Sequence, residues 1–209
     1  SAGTYYLWTK VIDGAGNRAT SVKVSNAFTV NANTATSSQI TLSPSTTAWT
    51  NGNVTVTATY GGNLTGNKTL TCTGTATTDY TINGTSNVVV KTKGKTVTAT
   101  ATDVAGNKIT KTLTINNIDK VLPTVSLSPN GGTKYVMPTT GNATIKTALT
   151  AADTGGSGLN TLQYAWSTSN TTEPTSWTNF TSGSTVSKTD IASAGTYYLW
   201  TKVIDGAGN

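Results

Sequence analysis

The chain has 209 residues, of which 49 are Thr, and only 11% are charged; fourteen Lys and Arg against eight Asp and Glu give a formal charge of +6. It contains no His, one Cys (Cys72) and one Glu (Glu173), which removes His-based triads and dyads, most zinc sites and an intradomain disulfide. No Ser lies in a nucleophile motif, no nucleic-acid-binding motif occurs and no twenty-residue apolar run exists, so the expectation is a non-enzyme that neither binds nucleic acid nor inserts in a membrane through this segment.

The first element, SAGTYYLWTKVIDGAGN from Ser1 to Asn17, recurs without a mismatch from Ser193 to Asn209. A displacement of 192 residues with no substitution reads as tandem duplication, so the chain is expected to be one period, plus an overlap, of a longer array. Stalks, fibres and adhesins gain reach and avidity from each added copy. Residues 18–33, RATSVKVSNAFTVNAN, are what should follow Asn209 if the period continues. Residues 1–33 are therefore expected to be the C-terminal strands of a preceding domain copy. The rival reading is strand donation, in which residues 18–33 complete the C-terminal domain of a neighbouring molecule and make the chain a donor-strand-linked filament subunit.

A complete domain is expected over 34–118. It opens on ITLSP (Ile40 to Pro44) and contains NVTVTATY (Asn53 to Tyr60), KTVTATATD (Lys95 to Asp103) and KITKTLTI (Lys108 to Ile115). In these runs every second side chain can face a core while Thr or Lys faces water, the period of a half-buried strand. A second domain, 119–209, opens on the similar VSLSP (Val125 to Pro129) and is expected to lack its last strand, which the following repeat supplies. Its core is expected to include Tyr164, Trp166, Tyr198, Trp200 and Val203. Short strands broken by Gly pairs at about ten-residue intervals predict an all-β fold of two-sheet antiparallel sandwiches.

Three copies of Asp-x-Ala-Gly-Asn mark hairpin turns: Asp13, Gly16, Asn17; Asp103, Gly106, Asn107; and Asp205, Gly208, Asn209. The Gly can take positive φ, the Asn tolerates it, and the Asp carboxylate can accept N–H bonds across the loop. From Asp13 to Asp103 is 90 residues and from Asp103 to Asp205 is 102, so each unit has the size of a small domain. Cys72, in KTLTCTG, reads as a small buried apolar residue. Lys91, Lys93 and Lys95 read as an edge-strand guard against sheet pairing, with a basic surface for wall polymers or polysaccharide as the alternative.

The endings YYLWTKVIDGAGN and VTATATDVAGNK, the stretch AADTGGSGLNTLQYAWS and the linker NIDKVLPTVSLSP together resemble the bacterial immunoglobulin-like domains found in tandem on large surface proteins. The resemblance covers nearly the whole chain. It implies tandem immunoglobulin-like β-sandwich domains at the bacterial cell surface or in a secreted fibre, serving as a structural stalk or in biofilm, with self-association between repeats; the alternative is an adhesin module that contacts host or carbohydrate surfaces.

Relatives use linker and loop aspartates to bind calcium, which makes Asp103, Asp119, Asp153 and Asp205 the candidate ligands. The alternative is that each simply caps its turn, with no cofactor at all. For carbohydrate contact the candidates are Trp177 and Phe180, in the loop from Thr168 to Ser182; inward packing as core is the other reading. A Lys–Asn crosslink would need an acid beside a buried Lys.

Overall fold

The computed structural model describes residues 2–19, 22–30 and 35–209; the domain boundary expected at 33/34 lies outside the described residues. The chain is all-β, as its alternation predicts. Among the described residues the only helical turn is a 3₁₀ turn over Ser37–Gln39. Contacts divide the chain into two compact units. One comprises Ser1–Ser45, Thr55–Val89 and Lys95–Thr114; the other comprises Thr46–Val54, Val90–Gly94 and Ile115–Asn209. Two short segments that the sequence reading assigns to the first domain thus belong structurally with the second unit.

The first unit begins with β1 (Gly3–Tyr5), β2 (Trp8–Thr9), β3 (Lys23–Val24) and β4 (Phe28–Val30), in which every residue is exposed. They form a thin antiparallel hairpin about the Asp13 turn. Tyr5 stands opposite Phe28, Trp8 opposite Val24, and Ile12 opposite Arg18.

Except for the terminal residues Val54, Val90 and Ile115, which fall in the second unit, the rest of this unit contains β5 (Ile40–Pro44), β6 (Val54–Tyr60), β7 (Lys68–Cys72), β8 (Tyr80–Asn83), β9 (Asn87–Val90), β10 (Lys95–Thr102) and β11 (Lys108–Ile115). They make two sheets, ordered β5-β6-β9-β8 and β11-β10-β7. Alternation holds on the inner strands: β6 buries Val54, Val56 and Ala58, and β10 buries Val97, Ala99 and Ala101. On β11 it fails at one position. Ile115 is buried and Ile109 and Leu113 are half-buried, but Lys111, in the same phase, is exposed. Because β11 is an edge strand, a lysine there can reach water and block further pairing. Cys72 is half-buried rather than buried, lying at the end of β7 opposite Val97.

The expected guard of edge-strand lysines is corrected. Lys95 opens the central strand β10 and pairs with Asp79 at 3.1 Å, and Lys91 and Lys93 lie between strands. No lysine among the described residues is buried, which leaves no site for the Lys–Asn crosslink.

The second unit contains β12 (Thr124–Ser128), β13 (Ala143–Ala152), β14 (Leu159–Ser167), β15 (Thr178–Asn179), β16 (Ser184–Ile191) and β17 (Tyr198–Asp205), in sheets ordered β12-β13-β16 and β15-β14-β17. Its strands bury Ala143, Leu149, Ala151, Ala165, Val186 and Ile191. The aromatic core expected from sequence is corrected: Tyr164, Trp166, Trp200 and Val203 are only half-buried and Tyr198 is exposed. Tyr198, Trp200 and Val203 lie on β17, the edge of its sheet with a neighbour on one side only, and Tyr164 and Trp166 lie on β14, whose other neighbour, β15, has two residues.

The duplicated sequence adopts two structures. As β17 it is one eight-residue strand paired along β14; at the N-terminus the same residues form only the fragments β1 and β2. Trp8 is 67% exposed, whereas its equivalent Trp200 is half-buried and donates its indole N–H to the Ser169 carbonyl at 2.9 Å. Strand length here is set by the neighbouring strand and not by local propensity. We therefore expect Trp200→Ala to cost about 1–3 kcal/mol of stability and Trp8→Ala less than about 0.5 kcal/mol, read as shifts in denaturation midpoint. Equal shifts would show that the two contexts do not differ energetically.

Candidate functional site: a carboxylate cluster at the linker

All three Asp-x-Ala-Gly-Asn turns close in the same way. At Asp13, Asp103 and Asp205 one carboxylate oxygen accepts the N–H of the Ala two residues on, at 3.0, 2.9 and 2.9 Å, and the N–H of the Asn four residues on, at 2.8 Å each time. The other oxygen accepts the Asn side-chain amide, at 2.7, 2.9 and 2.8 Å. Gly16, Gly106 and Gly208 have φ of 86°, 85° and 86°, a region that costs an L-residue about 1 kcal/mol or more. Asn17, Asn107 and Asn209 do not share that conformation, so their role is corrected: the side-chain amide clamps the Asp.

The third turn is part of a larger constellation. Carboxylate oxygens of Asp119, in the linker, Asp153, in the DTGGSG loop after β13, and Asp205, at the end of β17, lie within 4.8 Å of one another. Asp103 lies apart in its own turn. The Asp119 carboxylate accepts the N–H of Val121 at 3.0 Å and the N–H and hydroxyl of Ser157 at 3.0 and 2.6 Å. Asp153 accepts N–H bonds from Gly155, Gly156 and Gly158 at 2.8, 3.3 and 2.7 Å. The Asp119 backbone is held too: its N–H meets the Thr50 carbonyl at 2.9 Å and its carbonyl accepts the Asn209 amide at 2.9 Å.

Neighbouring segments lock onto this point. Lys93 donates to the Gly155 carbonyl at 3.0 Å and sits 5.0 Å from the Trp49 ring centre. Asn117 donates to the carbonyls of Thr46 and Ala48 at 3.2 and 2.7 Å, and Lys120 to Asn53 at 2.8 Å.

Asp119 and Asp205 are 2% and 0% exposed, and burial pushes their carboxyls up. Hydrogen bonds outweigh it: Ser157 and Val121, with the Lys93 charge, hold Asp119 below the ordinary 3.8, and Asn209 and Ala207 do so for Asp205 despite the opposing charge of Asp119. Asp103 is lowered chiefly by the Asn107 amide. All three are therefore anions at neutral pH.

Asp119, Asp153 and Asp205, three of the four calcium candidates, are the ones brought together. Calcium takes six to eight oxygens; the three carboxylates would supply part of that set, and in this structure each of their six oxygens accepts at least one N–H or O–H. The donor set present completes the cluster by hydrogen bonding.

Trp177 and Phe180, the carbohydrate candidates, are half-buried. The Trp177 ring is covered by the Lys202 ammonium, 4.3 Å from its centre, which also pairs with Glu173 at 3.2 Å. Sequence reasoning missed Gly206 and Gly155. A Cβ on Gly206 would run into the Ser157 carbonyl and one on Gly155 into the Asp119 carboxylate, while Gly14, the equivalent of Gly206, has nothing within 4 Å. The available signal was the contrast between DGAGN and DVAGN, since Val104 occupies the same turn position and is exposed.

We expect Gly206→Ala to cost about 1–3 kcal/mol through this collision and Gly14→Ala less than about 0.5 kcal/mol; equal denaturation midpoints would refute the close approach. The depressed carboxyls also fix a pH dependence. Their pKa values are lower folded than unfolded, so the unfolded chain binds more protons as acid is added. Stability is complete above about pH 4, near the unfolded Asp value, and is lost as pH falls through the folded values. Melting temperature measured from pH 7 to 2 should be level and then drop, and Asp205→Asn should make the drop shallower; an unchanged acid limb in that variant would contradict the assignment.

The chain matches no family model and no curated protein, so the functional argument rests on its repeat and its geometry.

Proposed function

We propose that this chain is a structural segment of a long repetitive bacterial cell-surface or extracellular fibre, built from tandem immunoglobulin-like β-sandwich domains. The observation that carries the reading is the recurrence of seventeen residues, Ser1 to Asn17, at Ser193 to Asn209 without a difference. The function is reach. The partners are neighbouring repeats, and hydrogen bonds tie the carboxylate cluster to its loops.

Two features support it. Apart from the N-terminal hairpin, each unit carries two sheets of antiparallel strands, the number that an immunoglobulin-like sandwich needs. Within the second unit, Asn117, Asp119 and Lys120 are each hydrogen-bonded to the 46–54 segment, which holds the linker in an extended, ordered course. The resemblance to bacterial surface-protein domains supplies the extracellular location. An adhesin role at Trp177 is disfavoured by the Lys202 ammonium over its ring.

The test is mechanical. Proteins of one, two and four periods, measured by small-angle scattering and electron microscopy, should lengthen linearly by roughly 50–70 Å per period, from eight-residue strands at roughly 3.3 Å per residue and two domains per period. A maximum dimension that grows with the cube root of mass would sink the proposal.

A further inference from the structure

In the first unit, the sheet β11-β10-β7 turns a face of threonines to solvent. On β10, Val97, Ala99 and Ala101 are buried, and Thr96, Thr98 and Thr100 alternate with them on the other face. Along β7 and the residue after it, Thr69, Thr71 and Thr73 are exposed, and so are Thr110, Thr112 and Thr114 on β11. Register lines them up in rows. Thr69 and Thr71 stand opposite Thr100 and Thr98, and the Thr73 N–H donates to the Thr96 carbonyl at 3.0 Å. On the other side the hydroxyls of Thr96 and Thr114 meet at 2.9 Å and those of Thr100 and Thr110 at 3.3 Å, so Thr98 faces Thr112 between them. The result is a grid of three rows on three strands with Thr at every position.

This grid is particular to its sheet. Outward positions on β9 of the β5-β6-β9-β8 sheet are Asn87 and Val89, and those on β13 of the second unit include Lys146 and Ala148. No charge interrupts the grid, since Lys111 belongs to the opposite phase of β11. Each Thr offers a methyl group beside a hydroxyl that both donates and accepts, on a side chain whose β-branching restricts χ1. The cross-strand hydroxyl pairs restrict it further. Spacing follows from the sheet, about 4.8 Å between strands and about 6.7 Å between alternate residues of one strand. Both lie near the repeats that hexagonal ice presents on its prism face.

Other occupants fit less well. At those spacings the grid covers roughly 300 Å², well short of the about 800 Å² per partner that a specific protein interface buries, so a second copy finds too little surface. It has no aromatic ring to stack on a sugar and no cation to hold a polyanion. We propose that the threonine grid of β7, β10 and β11 is an ice-binding face: its hydroxyls take lattice positions of water molecules, and its methyl groups seat in the hollows between them. Twist of roughly 20° between neighbouring strands confines the match to a few lattice cells, so one grid holds ice weakly. A fibre of repeats displays a grid in every period and gains by multivalency. This activity goes beyond reach, because the grid is complete within a single period.

The test is partition of the full chain into slowly grown ice, against a reference protein of equal size without such a face. The chain should be enriched in the ice fraction at least threefold over the reference and should suppress ice recrystallisation. Thr71→Lys with Thr112→Lys, at exposed positions flanking Thr98, should bring partition down to the reference value, and Thr112→Lys alone should give part of that fall. Thr59→Lys, exposed on β6 in the other sheet, should leave it unchanged; circular dichroism and melting curves establish that the variants are folded. A protein of four periods should suppress recrystallisation at a molar concentration about tenfold lower. Partition equal to the reference, or equal in the parent and the grid variant, would overturn the proposal. Pelleting with insoluble cellulose or chitin, or concentration-dependent dimers, lost in the same grid variant, would also overturn it by assigning the face to sugar or to a second copy. These readouts need one period only, so their failure is distinct from failure of the fibre reading, which is decided by how length scales in multi-period proteins.

Discussion

An extended backbone persists only where its N–H and C=O groups find partners, and the seventeen residues that occur twice in this chain measure that requirement directly. With β14 alongside, they make the continuous strand Tyr198–Asp205. Facing only their own return strand, they make two fragments in which the large side chains lie in water. Composition and local propensity are identical in the two cases, so the difference is wholly tertiary. β17 itself is paired on one side only, with β14.

A chain with so few large apolar groups leans on polar closure. Its buried side chains are mostly Ala and Val, which interdigitate closely but remove little surface each. Buried Asp103, Asp119 and Asp205 would be expensive without partners, and each is wrapped in donors from its own loop or from Ser157. Repulsion among the three acids near the linker is offset by that shell and by Lys93, so the cluster fixes the positions of three loops at once. The solution is directional where an apolar plug would be permissive, since each carboxylate oxygen accepts from particular backbone groups.

Much of the fold was legible because strand alternation is a local property. Val54, Val56, Val97 and Ala99 could be placed on a buried face from period alone, and the Asp-x-Ala-Gly-Asn turns from the need for positive φ and an acceptor. What escaped depended on which strand lies beside which. Lys111 departs from alternation because β11 is an edge, and the expected aromatic core is only half-buried on β17, another edge, and on β14, which β15 covers over two residues. The site was half legible in the same sense. Asp119, Asp153 and Asp205 were each conspicuous, but nothing local tells that Asp103 is excluded from their company. Nor does local sequence show that Ser157 and Gly155 complete the shell.

The two glycines at the second turn position make the physical point sharpest. Gly206 is required by the carbonyl of Ser157, while Gly14, in the same sequence, touches nothing; a bulkier residue is accommodated in the related turn at Val104, which is exposed. Trp8 and Trp200 repeat the pattern. Features of the first copy that have no cause in its own surroundings are accounted for by the surroundings of the second, where a β14-like strand and a Ser157-like carbonyl are at hand. Leu7 and Trp8 are 59% and 67% exposed in the first copy, whereas their equivalents Leu199 and Trp200 are half-buried in the second. Conformation and burial in this sequence are then properties of the repeat and its neighbours together.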